Sequence, residues 1–244
     1  MTYPARRKLI VASAVGSIAL AAGTLSVTSI NYELVVTRLD LGLGRRIAFL
    51  PDVHYHRPGE AHVERALREL QSLKPDAVVI GGDLVDEETR DIDGLHDVLS
   101  RIDSREKLAV LGNHEYWSGK VENAVGALMR HGFRVISNGY AETSFGRVFG
   151  YDWQEDRKYP RISFDGLVFA HDPNAADSVV GRALVIAGHT HGGLTIGGIT
   201  VISNSKYNRG LYDLGGPKLY VSRGIGQMLH QIRINSSPEL LIIE

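Results

Sequence analysis

The chain has 244 residues, 27 basic against 28 acidic side chains, ten histidines and no cysteine, and is 43% apolar. That is a globular composition, long enough to bury a full core unaided, and its near-neutral charge excludes a general nucleic-acid binder, which needs basic surface. The lack of cysteine excludes disulfides, thiolate metal sites and a thiol nucleophile, so any bound metal must use histidine, carboxylate and amide ligands.

Residues 1–30 hold three basic residues, Arg6, Arg7 and Lys8, and no acidic one. Leu9 to Ile30 then runs without a charge, about 33 Å as a helix and enough for a bilayer core. Ala19-Leu20-Ala21 has the small-x-small pattern cut by signal peptidase, and Arg6-Arg7-Lys8-Leu9-Ile10 resembles a twin-arginine export signal. Residues 1–30 are therefore expected to be a signal peptide or N-terminal membrane anchor. Residues 31–244 are expected to form one domain in the periplasm or cell envelope.

From Asn31 onward, short apolar runs alternate with amphipathic stretches. Val63, Ala66, Leu67, Leu70 and Leu73 recur at helical spacing, as do Ile92, Leu95, Leu99 and Ile102, and then Val121, Val125, Leu128 and Met129. Between them, Arg46–Leu50, Ala77–Ile80 and Leu108–Leu111 are continuous apolar runs of the kind buried on both faces of a parallel sheet. This βαβα order implies right-handed crossovers. After Phe133 the helical period fades, and Phe145–Tyr151, Leu167–Ala170, Ala183–Ala187, Leu194–Ile202, Leu219–Ser222 and Leu240–Ile243 read as strands.

The chemistry lies where the strands end. Ile47–Leu50 leads to Asp52 and His54; Ala77–Ile80 leads through two glycines to Asp83. Leu108–Leu111 leads to Asn113-His114-Glu115, Leu167–Ala170 to His171, and Ala183–Ala187 to His189-Thr190-His191. Ligands of open α/β sheets bind beyond the carboxyl ends of strands, and glycines before Asp83, Asn113 and His189 permit tight turns and close approach. Taken singly, each residue has a plain explanation as a helix cap, a turn residue or a satisfied polar group. Together they are a sulfur-free set that suits Mn²⁺, with Fe or Zn²⁺ as alternatives. Seven ligands exceed one tetrahedral ion and fit two divalent ions sharing a carboxylate, the pair that clamps both oxygens of a phosphoryl displacement.

In order and spacing, Asp52-Val53-His54, Gly81-Gly82-Asp83, Gly112-Asn113-His114-Glu115, His171 and Gly188-His189-Thr190-His191 resemble the five motifs of the calcineurin-like metallophosphoesterases. Gly192-Gly193, Asn208-Arg209-Gly210, Tyr220 to Gly226 and Pro238-Glu239 are similar to a membrane-associated or exported bacterial branch that includes UDP-2,3-diacylglucosamine hydrolase-like proteins. The resemblance implies a layered α/β/β/α sandwich with a dinuclear metal site at the strand ends. One ion would be held by Asp52, His54 and His191 and the other by Asn113, His171 and His189, with Asp83 bridging. It implies in-line attack by a bridging hydroxide on a phosphomonoester, phosphodiester or pyrophosphate, on a lipid- or nucleotide-linked envelope substrate. His114 would serve the transition state or leaving group, and Asp86 would orient it. Pro51 departs from the family's usual serine or threonine, which costs a backbone donor but no ligand. The intervals from His54 to Asp83 and from Asp83 to Asn113 are only 29 and 30 residues, and no lipid-binding cap insertion is obvious in them. The alternative is a non-catalytic envelope-binding protein on the same fold.

Overall fold

A computed structural model describes residues 33–196, 199–226 and 235–244. The leader expected over residues 1–30 lies outside them. Among the described residues no helix is long and apolar enough to cross a membrane.

In chain order the first half runs β1 (Val35–Leu39), β2 (Ile47–Leu50), α1 (Ala61–Leu73), β3 (Ala77–Gly81), α2 (Ile92–Ser100), β4 (Glu106–Val110), α3 (Asn113–Trp117), α4 (Val121–Arg130) and β5 (Arg134–Val135). There follow β6 (Gly139–Thr143), β7 (Gly146–Gly150), β8 (Ile162–Ser163), β9 (Gly166–Phe169), a 3-10 turn at Pro173–Ser178, β10 (Val179–Val180) and β11 (Ala183–Ala187). The chain ends with β12 (Leu194–Ile196), β13 (Ile199–Ile202), β14 (Gly210–Asp213), β15 (Lys218–Val221) and β16 (Glu239–Ile243).

Two six-stranded mixed sheets result, in the orders β1-β16-β2-β3-β4-β5 and β14-β15-β11-β9-β7-β6. β2 to β5 are parallel neighbours, as the βαβα reading requires, and so are β15, β11, β9 and β7. Alternation along the buried strands explains the layering, because successive side chains face opposite ways. Ala48, Leu50, Val78, Ile80 and Ala109 face α1, α2 and α4. Ile47, Phe49, Ala77, Val79 and Leu108 face the second sheet, where Phe49 stacks on Phe169 at 5.9 Å between centroids. The far side of the second sheet packs Val168, Val185 and Leu219 against Ala175 and Ala176 of the 3-10 turn.

The mixed α/β sandwich is therefore as expected, with two local differences. The outer layer over the second sheet is, among the described residues, a 3-10 turn, Pro173–Ser178, which Asp172 caps by accepting from the Asn174 N–H. Leu194–Ile202 is not one strand but an antiparallel pair, β12 with β13; glycines inside an apolar run weaken a continuous strand, and this stretch of sequence carries Gly197-Gly198.

Candidate metal centre

The carboxyl ends of β2, β3, β4, β9 and β11 meet at one edge between the sheets. Beyond the strands, the loops after β2 and β3 stay paired through backbone hydrogen bonds from Asp52 N to Gly82 O and from His54 N to Asp83 O, each 2.9 Å. The second half reaches the same edge: Ile225 N donates to Pro51 O and Gly226 N to Asp52 O. Asp52, His54, Asp83, Asn113, His114, His171 and His189 are all buried.

Two triplets form there. Ligand-capable atoms of Asp52, His54 and His191 lie within 4.8 Å of one another, as do those of Asp83, His171 and His189. Asp83 links them, its Oδ2 being 3.0 Å from His171 Nε2 and 3.9 Å from His54 Nε2. Asn113 Oδ1 lies 3.2 Å from His171 Nε2, which in turn is 3.1 Å from His189 Nδ1. The structure thus brings together all seven side chains singled out in the sequence.

The outer nitrogens orient the rings. His171 Nδ1 meets Gly81 O at 3.0 Å and His191 Nδ1 meets Gly226 O at 3.1 Å, while His54 Nδ1 meets Asp86 Oδ2 at 2.9 Å. Each contact turns the opposite nitrogen inward, the second-shell arrangement that fixes tautomer and direction in metal-binding histidines. His54 Nε2 is buried with no hydrogen-bond partner. An orphaned buried nitrogen beside two carboxylates is costly unless a cation completes it.

Backbone strain is concentrated here. Asp52, His54, Asp83, His189 and His191 all have φ between 47° and 74°, the left-handed region that non-glycine residues seldom enter. Such conformations cost on the order of 1–3 kcal/mol each and cluster at functional sites. Close approach explains the preceding glycines: a Cβ on Gly82, itself at φ 85°, would sit 2.7 Å from Gly112 N and from His171 Nδ1, and one on Gly112 would meet the Asp83 carboxylate.

Electrostatics follow from packing acids and imidazoles out of water. Burial would lower the His171 pKa, but Asp83 overrides it and raises it to about 10. Burial would raise Asp83, yet His171, then His54 and His114, hold it well below the carboxylate range. His189 goes the other way, pushed down to about 2 by burial and by His171. Glu115 accepts from the N–H groups of Asp83, Leu84, Val85 and Gly112 at 2.6–3.2 Å, which locks the β3 and β4 loops together. Burial and Asp83 raise its pKa to about 7.

A sequence profile described as calcineurin-like phosphoesterase matches residues 45–193, more than half of the chain. The chain belongs to the calcineurin-like phosphoesterase family. Its members are metallophosphoesterases, and the two triplets fit the family's use of two divalent ions. An uncharacterized metallophosphoesterase of Aquifex aeolicus is 29% identical over 234 residues, covering 87% of this chain and 89% of the relative. A second, of Campylobacter jejuni, is 28% identical and covers 90% of this chain, which spans only 63% of that longer protein. Among solved structures, TT1561 of Thermus thermophilus is similar at a TM-score of 0.45 and 12% identity, over 74% of this chain and 90% of that one.

Within this phosphoesterase, one residue expected at the site has a different partner. Asp86 does not orient His114: its Oδ2 lies 2.9 Å from both His54 Nδ1 and His56 Nε2, and it is fully buried. The Asp86 side chain turns under the β2 loop, and the Asp86 backbone N–H donates to Thr89 Oγ1. His114 instead has Glu87 Oε2 at 2.7 Å from its Nδ1. Its backbone N–H donates to Asp83 Oδ1, because Asn113 and His114 open α3 rather than lying in a turn. His62, His96 and His131 have other partners: His62 meets Val53 O, and the other two meet each other.

Four residues at the site were not anticipated. A cavity of about 600 Å³ opens over the cluster and is lined by Trp117, Trp153, Glu155 and Arg157 beside His114 and His189. Arg157 pairs with buried Asp172 through Nε at 3.1 Å, donates to Asn204 O at 2.7 Å and reaches His189 Nε2. Three of them lie on the 151–161 loop, whose sequence has no family motif to mark it. Trp117 could have been found, since it follows His114 by three residues and a helix places both on one face.

Proposed function

We propose that this chain is a dinuclear metal-dependent phosphoesterase in which Asp52, His54 and His191 hold one ion, Asn113, His171 and His189 the other, and Asp83 bridges them. The observation that carries this reading is the convergence of these side chains on one buried edge, with His54 Nε2 left unpartnered. The sulfur-free ligand set favours Mn²⁺, with Fe or Zn²⁺ next. Two such ions, when bound, neutralise phosphate charge and make water nucleophilic near neutral pH.

The chain's own residues supply the rest. Asp83 and Asp52 fix the spacing of the triplets, and the carbonyls of Gly81 and Gly226 together with Asp86 hold three imidazoles in register. His114, with Nδ1 held by Glu87, turns Nε2 toward the substrate, where it stabilises the phosphoryl oxygens or delivers a proton to the leaving oxygen. The active unit spans residues 31–244. Residues 1–30 act as an export signal or membrane anchor, which places the enzyme in the periplasm or at the envelope membrane. That placement rests on the charge-free stretch after Arg6-Arg7-Lys8. Motifs such as Asn208-Arg209-Gly210 support an envelope substrate with a lipid or nucleotide group, as in UDP-2,3-diacylglucosamine hydrolase-like proteins.

The test is hydrolysis of bis-p-nitrophenyl phosphate by purified protein with Mn²⁺. Turnover that disappears in both Asp83→Ala and His114→Ala is the expected result. No turnover with any divalent ion, or turnover that survives both substitutions, contradicts it and favours a binding protein on this fold.

A further inference from the structure

Both tryptophans of the chain stand on one wall of the cavity over the metal centre. Trp117 ends α3, its ring 5.4 Å from that of His114, and Trp153 lies 5.4 Å from His189. The two indoles meet edge to face, at 5.9 Å and 87°. Both indole N–H groups donate to the same atom, Glu155 Oε2, at 2.9 and 3.1 Å. Their polar needs are thus met and their orientation fixed, yet Trp117 remains 51% exposed while Trp153 is 8% exposed. A core tryptophan is buried, and a casual surface one is not tied down by a carboxylate shared with a second indole. A rigid, half-exposed indole next to a reacting centre is a pre-organised stacking surface. The carboxylate at its edge repels further anionic groups, so the matching occupant is an uncharged flat ring.

From this we infer that Trp117, braced by Trp153 and Glu155, is a substrate subsite for a flat aromatic ring on one ester substituent of the phosphate. This deepens the phosphoesterase reading above and rests on it for the position of the phosphate. The ring could be joined directly to the phosphate group, as in an aryl ester, or through a sugar, as in a nucleotide.

The test is calorimetric binding of matched ligands to the Mn²⁺-loaded protein. Phenylphosphonate is compared with cyclohexylphosphonate, and uridine 5′-monophosphate with ribose 5-phosphate. At least one aromatic ligand should bind about tenfold more tightly than its partner, the size of one stacked base. That preference should collapse in Trp117→Ala and Trp117→Leu and return in Trp117→Phe. Because the chain has only these two tryptophans, a change in intrinsic fluorescence with the aromatic ligand reports from the same wall. The first pair losing its preference assigns an aryl group, the second a nucleobase. Equal affinities within both pairs in the wild type, or a preference that survives Trp117→Ala, overturns the subsite. Failure of the underlying reading looks different: bis-p-nitrophenyl phosphate is then not hydrolysed, while the binding comparison still reports on the wall.

Discussion

The helix-rich first half and the strand-rich second half deliver the same kind of side chain to one edge but secure it by different means. Asp52, His54, Asp83 and Asn113 follow strands of the first sheet; His171, His189 and His191 follow strands of the second. In the first half the outer nitrogen of His54 is held by a carboxylate, Asp86, which also holds His56. In the second half, His171 and His191 are held by main-chain carbonyls of Gly81 and Gly226. A carbonyl anchor is part of the fold and no side-chain substitution removes it. A carboxylate anchor is separable, so a side-chain substitution can loosen His54 in a way that it cannot loosen His171 or His191.

The largest effect falls where the halves meet. Asp83→Ala removes the group that touches both triplets, and activity should drop by about a thousandfold or more, with metal content falling below two ions per chain. Retention of both ions would break the idea that Asp83 joins the two halves. His114→Ala leaves both triplets intact and should lower kcat by on the order of a hundredfold or more at unchanged metal content. Metal loss in that variant would mean that His114 helps bind the ions instead.

Asp86→Ala separates the halves more finely. It should weaken one of two Mn²⁺ binding steps by roughly tenfold to a hundredfold, as loss of an outer-shell partner does, and leave the other step intact. Equal weakening of both steps, read by titration calorimetry, would show that the anchors are not independent. The smallest effect concerns His56, whose pKa is raised to about 10 by hydrogen bonds from its ring to Asp86 and Glu60. A raised folded-state value contributes stability that is complete below the ordinary value of 6.5 and is lost as pH climbs toward about 10. The stability gap between wild type and His56→Gln should therefore be widest in acid and close above pH 10, as measured by urea melts. A gap that does not change with pH would place the contribution in packing.

Much of this was legible in the sequence. Continuous apolar runs such as Ile47–Leu50 and Ala77–Ile80 are buried on both faces, so their strand character and the chemistry at their ends could be read together. Less visible was anything set by long-range placement. Nothing near Asp86 says that its carboxylate faces His54 rather than His114, because three residues of spacing do not determine which way a loop side chain turns. The left-handed backbone at Asp52, His54, Asp83, His189 and His191 is equally silent in sequence, since aspartate and histidine tolerate it without a glycine to announce it. The 151–161 loop has no periodicity at all, yet it follows β7, a neighbour of β9 in the second sheet, and brings Trp153, Glu155 and Arg157 to the cavity.

The most direct test of the account is the hydrolysis rate of bis-p-nitrophenyl phosphate as Mn²⁺ is added stepwise to metal-free protein. The account predicts a rate that rises until two ions are bound per chain and then levels off. A rate that saturates at one ion, or hydrolysis that needs none, would contradict a centre built from two triplets bridged by Asp83.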